Sequence, residues 1–369
     1  MFGKSDMILS LTEILVFSFL LMLSFILIAN PMKVNVKANR WFGLLLLLWA
    51  SYWFDEVYGL ISHNEIEISS YIFVAFIQFL APPIFYISIC YFAVPAYKVS
   101  SNISKLLLLP TIYLMFILAN WYFSLDMYWA KLGLILINAF TFITLSFLKI
   151  RRHQKNIQQF ASSTQEINLN WLEYIIIAIV VLVVAVSVFN LVFFTLPLNG
   201  FMNVMVLLVV LFITYYSLRQ TEIFPKNKAE VKVVVDINAE EQNEEPKRQV
   251  LSDDKVVEIK AQLDSLMERK SPYLDSELTL MKLAQLLNIT SHQLSYVINK
   301  GYSENFFQFV NRFRIEKAKR MLADKKNEKL SILGVAFESG FSSKTSFNTT
   351  FKKMTEQTPS EYKKKCSGL

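Results

Sequence analysis

The sequence predicts an all-α protein in two parts, a seven-helix transmembrane domain followed by a soluble helical domain. Three observations carry that prediction. Seven apolar stretches fill residues 8 to 218. The composition is 54% hydrophobic with a mean hydropathy of +0.37, and only 18% of residues are charged, against about a quarter in a soluble globular domain. The charge is also uneven: residues 279–369 hold 16 Lys and Arg against 7 Asp and Glu, a net of +9, while the whole chain carries +7. A basic end on an apolar body calls for two partners, a lipid bilayer and a polyanion.

The apolar stretches lie at 8–29, 41–61, 71–94, 106–123, 128–148, 171–196 and 201–218. Each is long enough, as a helix rising 1.5 Å per residue, to cross a hydrocarbon layer roughly 30 Å thick. The first exceeds the apolar core of a cleaved signal peptide and is followed by more of its kind. One set of connecting loops holds Lys33, Lys37, Arg40, Lys98, Lys105, Lys149, Arg151, Arg152 and Lys155; the alternate set has only Lys4 on its side. That asymmetry places the amino terminus outside and the carboxy terminus in the cytoplasm, at the inner (cytoplasmic) membrane. An odd number of spans gives the same orientation.

Toward the outer ends of the spans lie Glu13, Asp55, Glu56 and Lys131 beside a crowd of aromatics that includes Trp49, Tyr52 and Trp53. Intramembrane charges tend to line functional cavities, so a ligand pocket opening outward is one reading, for a ligand not identified by the sequence. An interfacial aromatic belt with snorkelling charges is the other. Pro82 and Pro83 sit mid-span and should kink the third helix. Several classes are disfavoured. The last span has no Lys for a retinal Schiff base, none of the three His is mid-span, and Cys90 and Cys366 are too far apart in sequence to suggest a thiol site. With no paired catalytic constellation in view, neither an enzyme nor a metal or cofactor is expected.

Residues 219–250 change character, with Pro225, Pro246 and the acidic Glu240, Glu241, Glu244 and Glu245. They read as a cytoplasmic linker, a coil whose r.m.s. span is on the order of 30 Å; the run 231–235 reads as a short strand or as part of that tether. From Asp254 to Met267, Val256, Ile259, Leu263 and Leu266 recur at helical spacing. The stripe suits either a homodimer seam or packing onto the next domain.

In that domain Leu280, Leu283, Ala284 and Leu287 form one helical face, and Asn288 and Ile289 break the run. Ser291 is a suitable N-cap for a second helix whose Leu294, Val297 and Ile298 face inward. His292, Gln293, Ser295, Tyr296 and Asn299 are left on the open face. Helix, tight turn and helix with a polar outer face is the helix-turn-helix arrangement, which points to double-stranded DNA. A long helix follows from Phe306 to Lys325; about 18 residues make a rod of roughly 27 Å, near one DNA turn of about 34 Å. The motif then recurs: Ile332, Val335 and Ala336, a turn at Gly340, a cap at Ser342 or Ser343, and a helix anchored by Phe347 and Phe351 with Lys344, Thr345, Asn348 and Thr349 outward.

The run VAFESGFSSKTSFNTTFKKMTEQTPSEYKK resembles the signature of the AraC/XylS family of bacterial transcription regulators, and residues 275–364 match that family's domain nearly end to end. The whole arrangement is similar to membrane-tethered members of the family. The resemblance implies reading helices at 291–299 and 342–353, with Ala284, Gly340, Phe341, Phe347, Phe351, Pro359 and Tyr362 in structural roles. Glu356 stands where members commonly have Gly, and Tyr296 where they often have Arg. Candidates for base edges are His292, Gln293, Tyr296, Lys344, Thr345, Asn348 and Thr349; candidates for phosphates are Arg312, Lys352 and Lys353. The expected organisation is therefore a membrane domain at 1–218, the linker at 219–250, and a helical extension with the DNA-binding domain at 251–369. Its expected function is a one-component sensor coupling a membrane or extracellular signal to promoter binding. The alternative is a transport or assembly protein whose cytoplasmic domain anchors DNA or a protein partner.

Overall fold

The computed structural model describes residues 4–62, 68–94, 97–123, 127–164, 167–192, 199–224, 251–327 and 329–367. Among them the secondary structure is helical apart from one isolated β-bridge. By packing the chain divides into two units, Met1–His153 with Leu169–Ile223 and Gln154–Asn168 with Phe224–Leu369.

The first unit contains α1 (Lys4–Ala29), α2 (Val36–Ala50), α3 (Phe54–Ser62), α4 (Ile68–Phe79), α5 (Ala81–Ala93), α6 (Ile103–Phe123), α8 (Asn170–Val192), α9 (Asn199–Arg219) and most of α7 (Tyr128–Asn156). Among the described residues five segments are long and apolar enough to cross a membrane: Leu9–Ala29, Ile72–Ala93, Val99–Phe123, Tyr128–Gln159 and Gly200–Arg219. The expected second span is interrupted by a 3-10 turn at Ser51–Trp53, so it forms two shorter helices. The expected third span is interrupted beside the two prolines: α4 stops at Phe79, and α5 begins with Pro82 and Pro83 in its first turn. Prolines there lack only N–H groups that a helix start leaves unpaired in any case.

Helix α2 packs closely on α1 because Gly43 has no side chain. A Cβ on Gly43 would come within 2.8 Å of the Ile28 side chain, and its carbonyl accepts the Ser24 hydroxyl at 2.8 Å. Small residues allow this approach where apolar burial gives helices no preference for one another over lipid. Buried amides add fixed links. Trp53 Nε1 donates to Asn203 Oδ1 at 2.7 Å, and Asn138 Nδ2 donates to the Phe79 carbonyl at 2.9 Å. Outward faces carry Phe25, Met115, Phe140 and Val181, all exposed.

The first helix lying wholly in the second unit is α10 (Asp253–Lys270). Its stripe is Val256, Ile259, Leu263 and Met267, all buried, with Leu266 partly so. This settles the two readings of the stripe. It packs onto Leu280, Leu294, Val297 and Phe309 of its own unit and is not free to serve as a seam between copies. Next come α11 (Leu280–Leu286), α12 (Ser291–Tyr302), α13 (Phe306–Ala323), α14 (Ile332–Glu338), α15 (Lys344–Thr355) and α16 (Pro359–Ser367). Helix α13 packs against α12 on one side and α14, α15 and α16 on the other, and its buried residues enter two cores. The run 231–235 lies outside the described residues.

Candidate nucleic-acid interface

Two helix pairs, α11–α12 and α14–α15, are built to one plan. Thr279 and Ser331 cap the first helix of each pair through hydroxyls that accept the N–H of Lys282 and Gly334. Asn288 (φ 55°) and Gly340 (φ 89°) then turn the chain in the left-handed region. The next N–H, of Ile289 or Phe341, closes on the carbonyl of Ala284 or Ala336 at 3.1 and 3.0 Å. Each of these carbonyls also accepts the N–H of Leu287 or Ser339, at 3.1 and 3.2 Å, so the helix end is closed by paired bonds. Glycine is required at 340 on two grounds: its positive φ, and the 2.4 Å at which a Cβ would meet the Tyr273 carbonyl oxygen.

The second helices are capped differently from expectation. Thr290, not Ser291, is the N-cap of α12, in a reciprocal box with Gln293. Threonine at 290 leaves Gln293 at the third position, where its amide can return to the cap N–H at 3.0 Å. In α15 the cap is Ser343, the second of the two serines foreseen. The second turn is thus one residue longer than the first, and the added residue is Ser342.

The faces divide as the spacing predicted. Leu294, Val297 and Ile298 of α12 and Phe347 and Phe351 of α15 are buried. Lys344, Thr345 and Thr349 are exposed and His292, Tyr296 and Asn348 half-exposed. The Asn348 side-chain oxygen has no hydrogen-bond partner among the described residues. Lys300 lies over the Tyr296 ring, 5.6 Å from its centre. Lys352 and Lys353 project from the last turn of α15, exposed. Arg312 is placed differently from those lysines. Its guanidinium donates to both oxygens of Glu304 at 3.0 and 3.2 Å and sits over the Phe313 ring. Its charge is balanced within the domain.

One position was not singled out in the sequence. Arg314 is 1% exposed. Desolvation lowers its pKa from the usual arginine value to about 10, with the charge of Asp275 opposing the shift. Its N–H groups are satisfied by the carbonyls of Tyr273 at 2.7 Å, Asp275 at 2.8 Å and Ser162 at 3.1 Å. The missed signal was spacing: Val310, Arg314 and Ala318 recur every fourth residue on the inner face, all buried.

In the first unit, Glu13 and Glu56 line one cavity of about 240 Å³ with Trp49, Tyr52, Trp53 and Asn203. Glu13 is 7% exposed. Asp55 and Lys131 do not line it.

Residues 283–365 match the family described as "Helix-turn-helix domain", and that domain is present in this chain. The chain is 31% identical over 112 residues to the HTH-type transcriptional regulator YijO of Escherichia coli, covering 29% of this chain and 38% of that protein. It is equally identical over 114 residues to an HTH-type transcriptional regulator of Staphylococcus aureus, covering 31% of this chain and 14% of the relative. The match therefore spans well under half the length of either relative. No solved structure matches the chain.

Proposed function

We propose that the chain is a membrane-tethered, sequence-specific DNA-binding transcription regulator that acts as a one-component sensor. The observation that carries this is the pair of helix-turn-helix units on one shared helix, each presenting a polar, partly basic face. The name "transcriptional regulator" borne by the relatives supports the same reading. The apolar helices before it supply the tether. Nine basic residues on one set of loops against Lys4 on the other support a cytoplasmic DNA-binding end.

Helices α12 and α15 enter successive major grooves, with His292, Tyr296, Lys344, Thr345, Asn348 and Thr349 at base edges and Lys352 and Lys353 at phosphates. Gln293 contributes through its cap, since its side-chain oxygen is engaged there. Arg312 would reach a phosphate only by leaving Glu304. The cavity beside Glu13 and Glu56 is the sensing pocket. Two carboxylates facing a space walled by Trp and Tyr rings suit a small organic cation.

Selection of duplexes from a random pool by the purified full chain, followed by titration, tests the DNA reading. Lys353→Ala should weaken every duplex alike and reduce the salt slope by about one charge. Asn348→Ala should change which bases are preferred. A pool that yields no preferred sequence would sink sequence-specific binding, and an unchanged expression profile on deleting the gene would favour a passive anchor.

A further inference from the structure

Residues 157–163 follow directly on the end of the apolar helix α7, yet they are buried in the interior of the second unit. Ile157, Phe160 and Ala161 pack among Leu263, Met267, Leu280 and Leu283. Ala161 pairs with Thr279 in the one antiparallel bridge among the described residues. Flanking it, the Ser162 N–H donates to the Leu278 carbonyl at 3.3 Å and the Leu280 N–H donates to the Phe160 carbonyl at 3.0 Å. Ala161 and Thr279 are thus a non-hydrogen-bonded pair, the kind whose side chains lie closest.

Ser162 is held from three directions. Its hydroxyl donates to the Leu278 carbonyl at 2.7 Å and accepts Arg314 Nη2 at 3.0 Å. Its carbonyl accepts Asn311 Nδ2 and Arg314 Nη1, each at 3.1 Å. The same guanidinium holds the main chain at Tyr273 and Asp275 that leads into the first helix pair. The next residue, Ser163, shares a 3.2 Å hydrogen bond with Ser342, the added residue of the second turn. One short segment therefore meets the entry to the first pair, the middle of α13 and the turn of the second pair. Without it, a buried cation would lose two partners and the core three side chains, and buried N–H groups left unpaired are costly.

We propose that segment 157–163 is a docking element, supplied by the apolar half of the same chain, that fixes the two helix-turn-helix units in their DNA-reading relation. Its displacement by the adjoining helices α7 and α8 is the step by which a signal lowers DNA affinity. The proposal rests on the DNA-binding reading above. A segment seated in the core has two distinguishable states, docked and undocked, and a ligand that favours one shifts the population.

The test uses the full chain in lipid nanodiscs, in a Cys366→Ser background carrying Ala161→Cys and Thr279→Cys. The non-hydrogen-bonded geometry predicts rapid cystine formation under mild oxidant. The cross-linked chain should bind a duplex selected by the wild type as tightly as the reduced chain does. Adding Phe160→Ala should weaken binding by about tenfold when reduced, equivalent to roughly 1.4 kcal/mol, and oxidation should restore it. Poor cystine yield, loss of binding on cross-linking, or indifference to Phe160→Ala would each overturn the proposal. A wild-type chain that selects no duplex would count against the DNA-binding reading instead, and cystine yield would still decide whether the segment is docked.

Discussion

Glu356 ends α15 at φ 62°, ψ 3°, the left-handed conformation that glycine adopts freely and other residues adopt at a cost. The family resemblance puts glycine at this position; Glu356 adopts the left-handed conformation that a glycine would, and the strain falls on that residue. Glu356→Gly should therefore raise the stability of the second unit by up to about 1 kcal/mol, measured by urea unfolding. Two residues on, Thr358 and Glu361 cap α16 reciprocally, the carboxylate accepting the Thr358 N–H at 2.7 Å. That bond holds the Glu361 pKa below the usual glutamate value. A depressed folded value contributes stability above the unfolded pKa and loses it as pH falls through the folded one. Glu361→Gln should accordingly lower stability at neutral pH and flatten the acid sensitivity of unfolding, the two chains converging as pH falls through the folded value. At this scale the sequence was legible where a residue's type dictates its backbone, as at Gly340. It was less so where a choice between neighbours depends on a third residue: Gln293 selects Thr290 over Ser291 as cap.

Helices were legible from periodicity, and their ends largely from caps. The long helix α13 ends two residues before its expected limit, because Asp324 is extended and accepts the N–H of Lys326 at 2.9 Å. The α10 stripe could be recognised as apolar but not assigned a partner, since periodicity records a face and not what covers it. Its burial within the unit makes a firm expectation. Leu263→Ala should destabilise the domain by about 2 to 5 kcal/mol, the cost of a large-to-small change in a filled core, without altering association between chains. Analytical ultracentrifugation beside thermal unfolding separates the two effects. Arg314 was not legible at this scale because a charged residue on the buried face of a helix breaks the apolar pattern that marks that face.

For the whole chain, hydropathy and charge bias outlined two halves with different surroundings. Reporter fusions should place the segment after α9 in the cytoplasm and residues 124–126 outside. Neutral Glu13→Gln and Glu56→Gln variants should lose the transcriptional response to small amines while keeping DNA affinity, and a retained response would remove the cation pocket. The segment 154–168 was not legible as part of the second unit. Gln158, Ser162 and Ser163 have the composition of any loop, and their partners lie more than a hundred residues away. No local pattern encodes such pairing.

That pairing bears on how a promoter could be reached. A protease cutting anywhere in 225–250 would leave Ile157, Phe160 and Ala161 behind, taking from the released piece side chains worth on the order of 5 kcal/mol of burial. A domain stable by about 5 to 15 kcal/mol can ill spare that much. Shedding a diffusible fragment is therefore a poor way for this molecule to work. For a chain tethered as proposed, the chromosomal locus must come to the envelope, so response should depend on where the target gene lies in the nucleoid and how freely it can move.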